Sequence, residues 1–186
     1  YDWEIKVEFL PTILRGVRPP SSMGDGFVAP RASTPGDPLR VAVLLSGSGS
    51  GLAALLKHQQ NEGCTHKTVM VISDKPNAGG LAHAERYGVP CMSIPLSEEI
   101  SGLERRIEQE ARVLQELAES GAELVVLSGY MRILTSDFVS RWKGRLINIH
   151  PSLLPLFPGA HAHRDVLAAG ENESGCTVHL VDEGVD

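Results

Sequence analysis

Arg40-Val-Ala-Val-Leu-Leu-Ser-Gly-Ser-Gly-Ser-Gly51 joins an apolar run, Val41 to Leu45, to a stretch in which serine and glycine alternate. A short apolar run bounded by glycine reads as a buried strand, and a helical period resumes at Leu52, so the segment predicts strand, turn, helix. In such a turn the backbone N–H groups and the helix dipole converge on one point, where an anion is favoured. A phosphate held by this loop, 46–51, is the functional reading; a flexible Gly/Ser turn is the plain one. The run lacks the Gly-Lys-Ser/Thr ending of a nucleotide-triphosphate loop, and it is not a G-x-G-x-x-G run with a matching ribose-binding acid, so dinucleotide binding fits poorly.

Downstream the same alternation continues. Strands are predicted at Arg40–Leu45, Lys67–Ile72, Cys91–Ile94, Glu123–Leu127, Leu146–Ile149 and Thr177–Val181. The clearest helix carries Leu103, Ile107, Ala111, Leu114 and Leu117 at spacings of three or four, with Gly121 placed to cap its end. Shorter helices are expected over Leu52–Asn61, Gly80–Tyr87, Ser136–Trp142 and Arg164–Ala169. Strands alternating with helices imply an α/β, Rossmann-like, doubly wound and mostly parallel sheet, whose ligands lie beyond the carboxyl ends of the strands. That directs attention to 46–51, 129–134, 148–155 and 181–186.

Residues 1–38 differ in character. They hold half of the twelve prolines and sustain no period, so they read as a disordered leader or upstream segment, with Met23 a candidate start. The single domain is expected over 39–186. The chain has 186 residues, 42% of them hydrophobic, and 17 basic residues against 23 acidic ones give a net charge of −6. That balance argues against nucleic acid or an anionic membrane as partner. Cys64, Cys91 and Cys176 are odd in number and never spaced C-x-x-C, which suggests reduced thiols in the cytoplasm rather than disulfides or a zinc site. No run is long enough to span a membrane.

Chemistry is most legible at Asn148-Ile149-His150. A strand period of two turns Asn148 and His150 to one side, an amide able to donate to a developing oxyanion beside an imidazole able to move protons or stabilise the same charge. Either residue alone is equally at home as a turn residue or in a local hydrogen-bond network. His161-x-His163 lacks a third ligand at suitable spacing, so no metal is expected there. His179 reads as a structural strand histidine, and Asp182, Glu183 and Asp186 as an acidic chain end.

Four ordered segments, Val41 to Ser50, Gly129-Tyr-Met-Arg-Ile-Leu134, Asn148-Ile-His-Pro-Ser-Leu-Leu-Pro155 and Gly175-Cys-Thr-Val-His-Leu-Val-Asp-Glu-Gly-Val-Asp186, resemble the phosphoribosylglycinamide (GAR) formyltransferase family over about 40–186. The resemblance implies the formyltransferase fold with its C-terminal part missing. It implies transfer of a formyl group from 10-formyltetrahydrofolate, a co-substrate, to the GAR amine in purine biosynthesis, without a metal. It places the GAR phosphate on Gly49, Ser50 and Gly51, the folate against Arg132, Ile133, Leu134, Val181, Asp182 and Glu183, and the catalytic trio on Asn148, His150 and Asp186. The implied partners are these small molecules, in a monomer or homodimer. Gly51 and Asp74 stand where the family usually has Asn.

Three alternatives stand beside this reading. A 10-formyltetrahydrofolate hydrolase keeps a similar trio but normally has an N-terminal regulatory domain, for which 1–38 is too short. A truncated copy that binds ligand without turnover is the non-enzymatic alternative. A methionyl-tRNA formyltransferase would carry a C-terminal RNA-binding module and different text after Pro155.

Overall fold

The computed structural model describes residues 26–159 and 161–182. Their order is β1 (Leu39–Leu45), α1 (Ser50–His58), β2 (His66–Ser73), α2 (Gly79–Arg86), β3 (Cys91–Ser93), α3 (Gly102–Glu119), β4 (Leu124–Leu127), α4 (Ser136–Arg141), β5 (Leu146–His150), α5 (Ala162–Ala168) and β6 (Thr177–Leu180). Each predicted strand and helix is present, with ends shifted by a few residues, as fraying termini allow.

The strands form one sheet in the order β3-β2-β1-β4-β5-β6. Neighbours run parallel except β6, which pairs antiparallel with β5 at the edge. Strand order reverses between β1 and β4, so the ligand-accepting crevice of this architecture lies there, beyond their carboxyl ends.

The buried residues of β1 divide by the strand period. Leu39, Val41, Val43 and Leu45 join α1, α2 and Ile147 in one core cluster. Ala42 and Leu44 join Val113 and Leu117 of α3, Phe138 of α4 and Leu146 in the other. A central strand buried on both faces must read as a continuous apolar run, which is why 41–45 is so legible. Each large apolar side chain removed from water there contributes about 1.5–3 kcal/mol.

The long helix departs from its predicted face. Leu117 is buried and Leu114 packs against the second cluster, but Leu103 and Ile107 keep 61% and 52% of their exposure. The buried positions toward the amino end belong instead to Gln109 and Glu110. Gln109 Nε2 donates to the Ile94 carbonyl at 2.6 Å. Glu110 accepts from the Thr135 backbone N–H at 2.8 Å and also from its hydroxyl. These loop donors and acceptors require polar partners once buried, and that requirement outweighs the apolar period. Gly121, at φ 64°, follows the helix end in the left-handed region, as expected of a glycine there.

Part of the expected leader lies against the domain. Arg31 Nε donates to Glu123 Oε1 at 2.6 Å and its guanidinium also meets Asp37. The Val28 N–H donates to the Lys143 carbonyl at 3.1 Å. The hydrogen bond from Arg31 is the main reason the Glu123 carboxyl is held below its ordinary range. Residues 1–25 fall outside the described residues.

Candidate functional site

β1 is followed by Ser46, whose N–H donates to the Gly129 carbonyl at 3.0 Å while its hydroxyl accepts from the Met131 N–H at 2.8 Å. These bonds join the loops that follow β1 and β4 across the strand-order reversal. Gly49 then caps α1 at φ 73°. A Cβ there would stand 2.5 Å from the Gly80 Cα, so this crossing of two backbones needs glycine on steric as well as conformational grounds. Gly80 N donates to the Gly47 carbonyl at 3.1 Å, fastening the loop to the start of α2.

A cavity of about 520 Å³ opens beside this loop, lined by Ser46, Gly47, Ser48 and residues 75–79. The expected phosphate residues Gly49, Ser50 and Gly51 form the first turn of α1 next to it. Lys75 brings a cation to the rim, a residue that sequence reasoning did not single out. The only signal for it was a basic residue two positions past the end of the second strand. At Gly51 a Cβ would meet the Ser128 Oγ at 2.5 Å. Ser128 therefore occupies the space that an asparagine side chain at 51 would have to enter.

The register carries the loop's level across the sheet. Leu44 pairs with Leu127, Leu127 with Asn148, and Asn148 with His179. At about 4.8 Å per strand, Asn148 lies roughly 10 Å to the side of β1 at the same height. His150, two residues further on, is level with Ser46 and Gly129. Leu146 belongs to the second core cluster and Ile147 to the first, so alternation turns Asn148 and His150 to the α3 and α4 side.

Asn148 Nδ2 donates to His179 Nε2 at 3.2 Å, and His179 Nδ1, 3.1 Å from the Leu180 carbonyl, carries the ring proton that donates there. The two contacts together assign the neutral Nδ1–H tautomer to His179. His179 is thus the residue that orients the Asn148 amide, a role its strand position alone did not reveal. His150 is buried and its Nε2 donates to the Phe157 carbonyl at 3.1 Å. Buried Ser152 reaches the Leu156 and Phe157 carbonyls at 2.7 and 2.9 Å, and Thr177 ties Ser152 and Leu154 to β6. The loop after β5 is therefore shaped by its own hydrogen bonds, and Phe157, at φ 53°, sits in the left-handed region.

Of the expected folate residues, Leu134 and Val181 both pack against the second core cluster, whereas Ile133 stays 65% exposed and Asp182 is exposed. Arg132 Nε donates at 2.7 Å to Asp74 Oδ2, whose side chain is wholly buried, so the guanidinium has an internal partner. Glu183 and Asp186 lie outside the described residues. The structure brings Asn148 and His150 to one face of β5 beside the strand-order reversal.

His161 and His163 are not among the described groups able to hold a metal, but His58, Cys64 and His66 are. His66 is buried, and burial, reinforced by His58, lowers its pKa to about 4. No helix among the described residues is long and apolar enough to cross a membrane.

The formyl transferase family model matches residues 39–186. The chain is 46% identical over 149 residues to the trifunctional purine biosynthetic protein adenosine-3 of Drosophila melanogaster, an alignment covering 79% of this chain and 11% of that protein. It is 36% identical over 148 residues to the phosphoribosylglycinamide formyltransferase of Escherichia coli (strain K12), covering 80% of this chain and 68% of that one. Among solved structures, the phosphoribosylglycinamide formyltransferase of Brucella melitensis aligns with a TM-score of 0.71 at 42% identity, over 78% of this chain and 74% of that one. The glycinamide ribonucleotide transformylase 1 of Symbiobacterium toebii aligns at 0.72 and 38% identity, over 80% and 68%. The chain thus spans a small part of the trifunctional relatives and about two thirds of the shorter ones. A family match across the whole sheet, with the Asn148 and His150 pair at its carboxyl edge, means that the chain belongs to the formyl transferase family, among its phosphoribosylglycinamide formyltransferases.

Proposed function

We propose that this domain transfers a formyl group from 10-formyltetrahydrofolate to the amine of GAR, as part of purine biosynthesis in the cytoplasm. The observation that carries the reading is the placement of Asn148 and His150 on one face of β5, level with the glycine-rich loop at the strand-order reversal. The three cysteines are free, in keeping with a reducing compartment.

The folate supplies the activated one-carbon unit; the remaining tasks fall to the chain. The first turn of α1 at Gly49, Ser50 and Gly51 offers its unpaired N–H groups to the GAR phosphate, with Lys75 as a local counter-charge in a protein of net negative charge. Leu134 and Val181 form the apolar floor for the pteridine. Asn148, steadied by His179, directs its remaining amide N–H at the oxygen that becomes negative as the amine attacks, a contact worth about 10²–10³ in rate. His150 stabilises the same charge and handles the amine proton, worth about 10²–10⁴. Asp186 acts on the imidazole. Holding both substrates in one crevice supplies the rest by converting a bimolecular encounter into an oriented one.

The test is formyl transfer by the protein expressed from the full gene, with GAR and 10-formyltetrahydrofolate. Formyl-GAR should form, and His150→Ala should lower kcat by about 10²–10⁴. Formate without formyl-GAR would replace this reading with the hydrolase. Binding of both ligands without either product would replace it with an inactive copy.

A further inference from the structure

A second cluster of chemical groups stands at the opposite end of the sheet. His58 closes α1, His66 opens β2, and Cys64 lies in the connection between them. Leu39 N donates to the Thr65 carbonyl at 2.8 Å, which fixes this connection beside the amino end of β1. The carboxyl-end crevice described above is therefore remote from it by the length of the strands.

The donor atoms are close enough together to be gathered onto one ion. One nitrogen from each histidine and the Cys64 sulfur all lie within 4.8 Å of one another. Cys64 Sγ stands 3.4 Å from His66 Nδ1 and 3.7 Å from its Nε2. A tetrahedral zinc with a sulfur at about 2.3 Å and a nitrogen at about 2.05 Å holds those two atoms about 3.6 Å apart. The His58 and His66 rings lie stacked, with centroids 5.6 Å apart and planes 14° apart, so sharing one ion requires one imidazole to turn about its side-chain bonds until both ring planes contain the metal. His66 is buried. A cavity of about 280 Å³ reaches Cys64 and His66 from the surface, with Glu62 and Asn61 on its wall. It provides an entry path and a fourth position for water or an oxygen ligand.

We propose that His58, Cys64 and His66 bind one thiophilic divalent cation of the zinc class, clamping the end of α1 to the start of β2. As the sulfur–metal bond forms, the Cys64 thiol releases its proton to solvent, so binding tightens with pH. The residues fall as His-x5-Cys-x-His, outside the common paired spacings, which is why the cysteine pattern alone pointed away from zinc. The site is independent of the formyl-transfer reading and is tested without it.

The experiment uses the full 186-residue chain, freed of metal with a chelator and titrated with Zn2+ by calorimetry and with Co2+ by absorbance. One ion per chain should bind, Co2+ should give a thiolate-to-metal charge-transfer band, and a zinc concentration about a hundredfold above Kd should raise Tm by about 5–10 °C. Cys64→Ser should abolish the band and weaken binding at least tenfold, and His58→Gln, at a half-buried position, should weaken it similarly. The double variant His161→Gln, His163→Gln should leave binding intact. Melting curves recorded in chelator confirm that each variant is folded; if Cys64→Ser is not, Cys64→Ala and His58→Gln carry the test. Failure to bind near one equivalent, or binding that survives both Cys64→Ser and His58→Gln, overturns the proposal.

Discussion

Arg132→Met should destabilise the protein far more than its exposure suggests, because it strands a buried charge. The Asp74 side chain is wholly buried, its Oδ2 takes the Arg132 Nε–H at 2.7 Å, and its Oδ1 has no hydrogen-bond partner among the described residues. Breaking a fully buried ion pair from one side costs about 3–5 kcal/mol. The Arg132 side chain keeps 39% of its exposure, so water reaches one flank of this pair, and about 2–3 kcal/mol is the expected loss. In a domain of this size that lowers Tm by about 4–12 °C. Asp74→Asn removes the charge that needed a partner and leaves Arg132 free to turn to water, so alone it should cost under about 1 kcal/mol. In the Asp74→Asn background Arg132→Met should then be nearly harmless, with a coupling energy of about 1–3 kcal/mol. Urea unfolding of the four proteins measures this, with an unchanged m-value confirming that only stability moved. Equal losses on the two backgrounds, with coupling inside about 0.5 kcal/mol, would refute the assignment of Asp74 as a charge held by Arg132.

Two further outcomes follow from packing and from titration. Gly51→Ala places a Cβ 2.5 Å from the Ser128 Oγ, which should cancel the usual helix gain of about 0.5–1 kcal/mol; in the Ser128→Ala background the next atom is 3.9 Å away and the gain should appear, and identical effects on both backgrounds would refute the overlap. His66 in metal-free protein takes up its proton only near pH 4, against an ordinary value of 6.5. Between those values the unfolded chain binds more protons than the folded one, so stability falls as pH drops from 6.5 to 4, by about 3 kcal/mol at roughly 1.36 kcal/mol per pH unit. The unfolding midpoint of His66→Gln should lack that part of the acid slope, and an unaltered slope would show that His66 is not its source.

Much of this protein follows from local chemistry that a linear sequence carries in full. Val41 to Leu45 reads as a two-sided buried strand because a run of five consecutive apolar residues, β-branched at Val41 and Val43 and closed by Ser46-Gly47, is short for a helix. Asn148 and His150 share a face because the strand period is two, whatever else the chain does. The order of segments also sufficed to indicate a family, since four separated stretches fall in one sequence order. Contacts between segments are another matter, because strand order and register are set by how whole faces pack and leave no mark on any one stretch. Nothing near Leu103 or Ile107 announces that the buried side of α3 is taken by Gln109 and Glu110, whose partners Ile94 and Thr135 arrive from other elements. The same holds for Arg132 meeting Asp74, for His179 orienting Asn148, for Arg31 fastening residues of the expected leader to Glu123, and for His58 meeting Cys64 and His66. Elements, the faces of the strands and the family were legible along the chain, whereas the buried face of α3 and the pairing of polar groups that neutralise one another were settled by packing in three dimensions. A buried charge or donor must find a partner in space, and distance along the chain puts no limit on where that partner comes from.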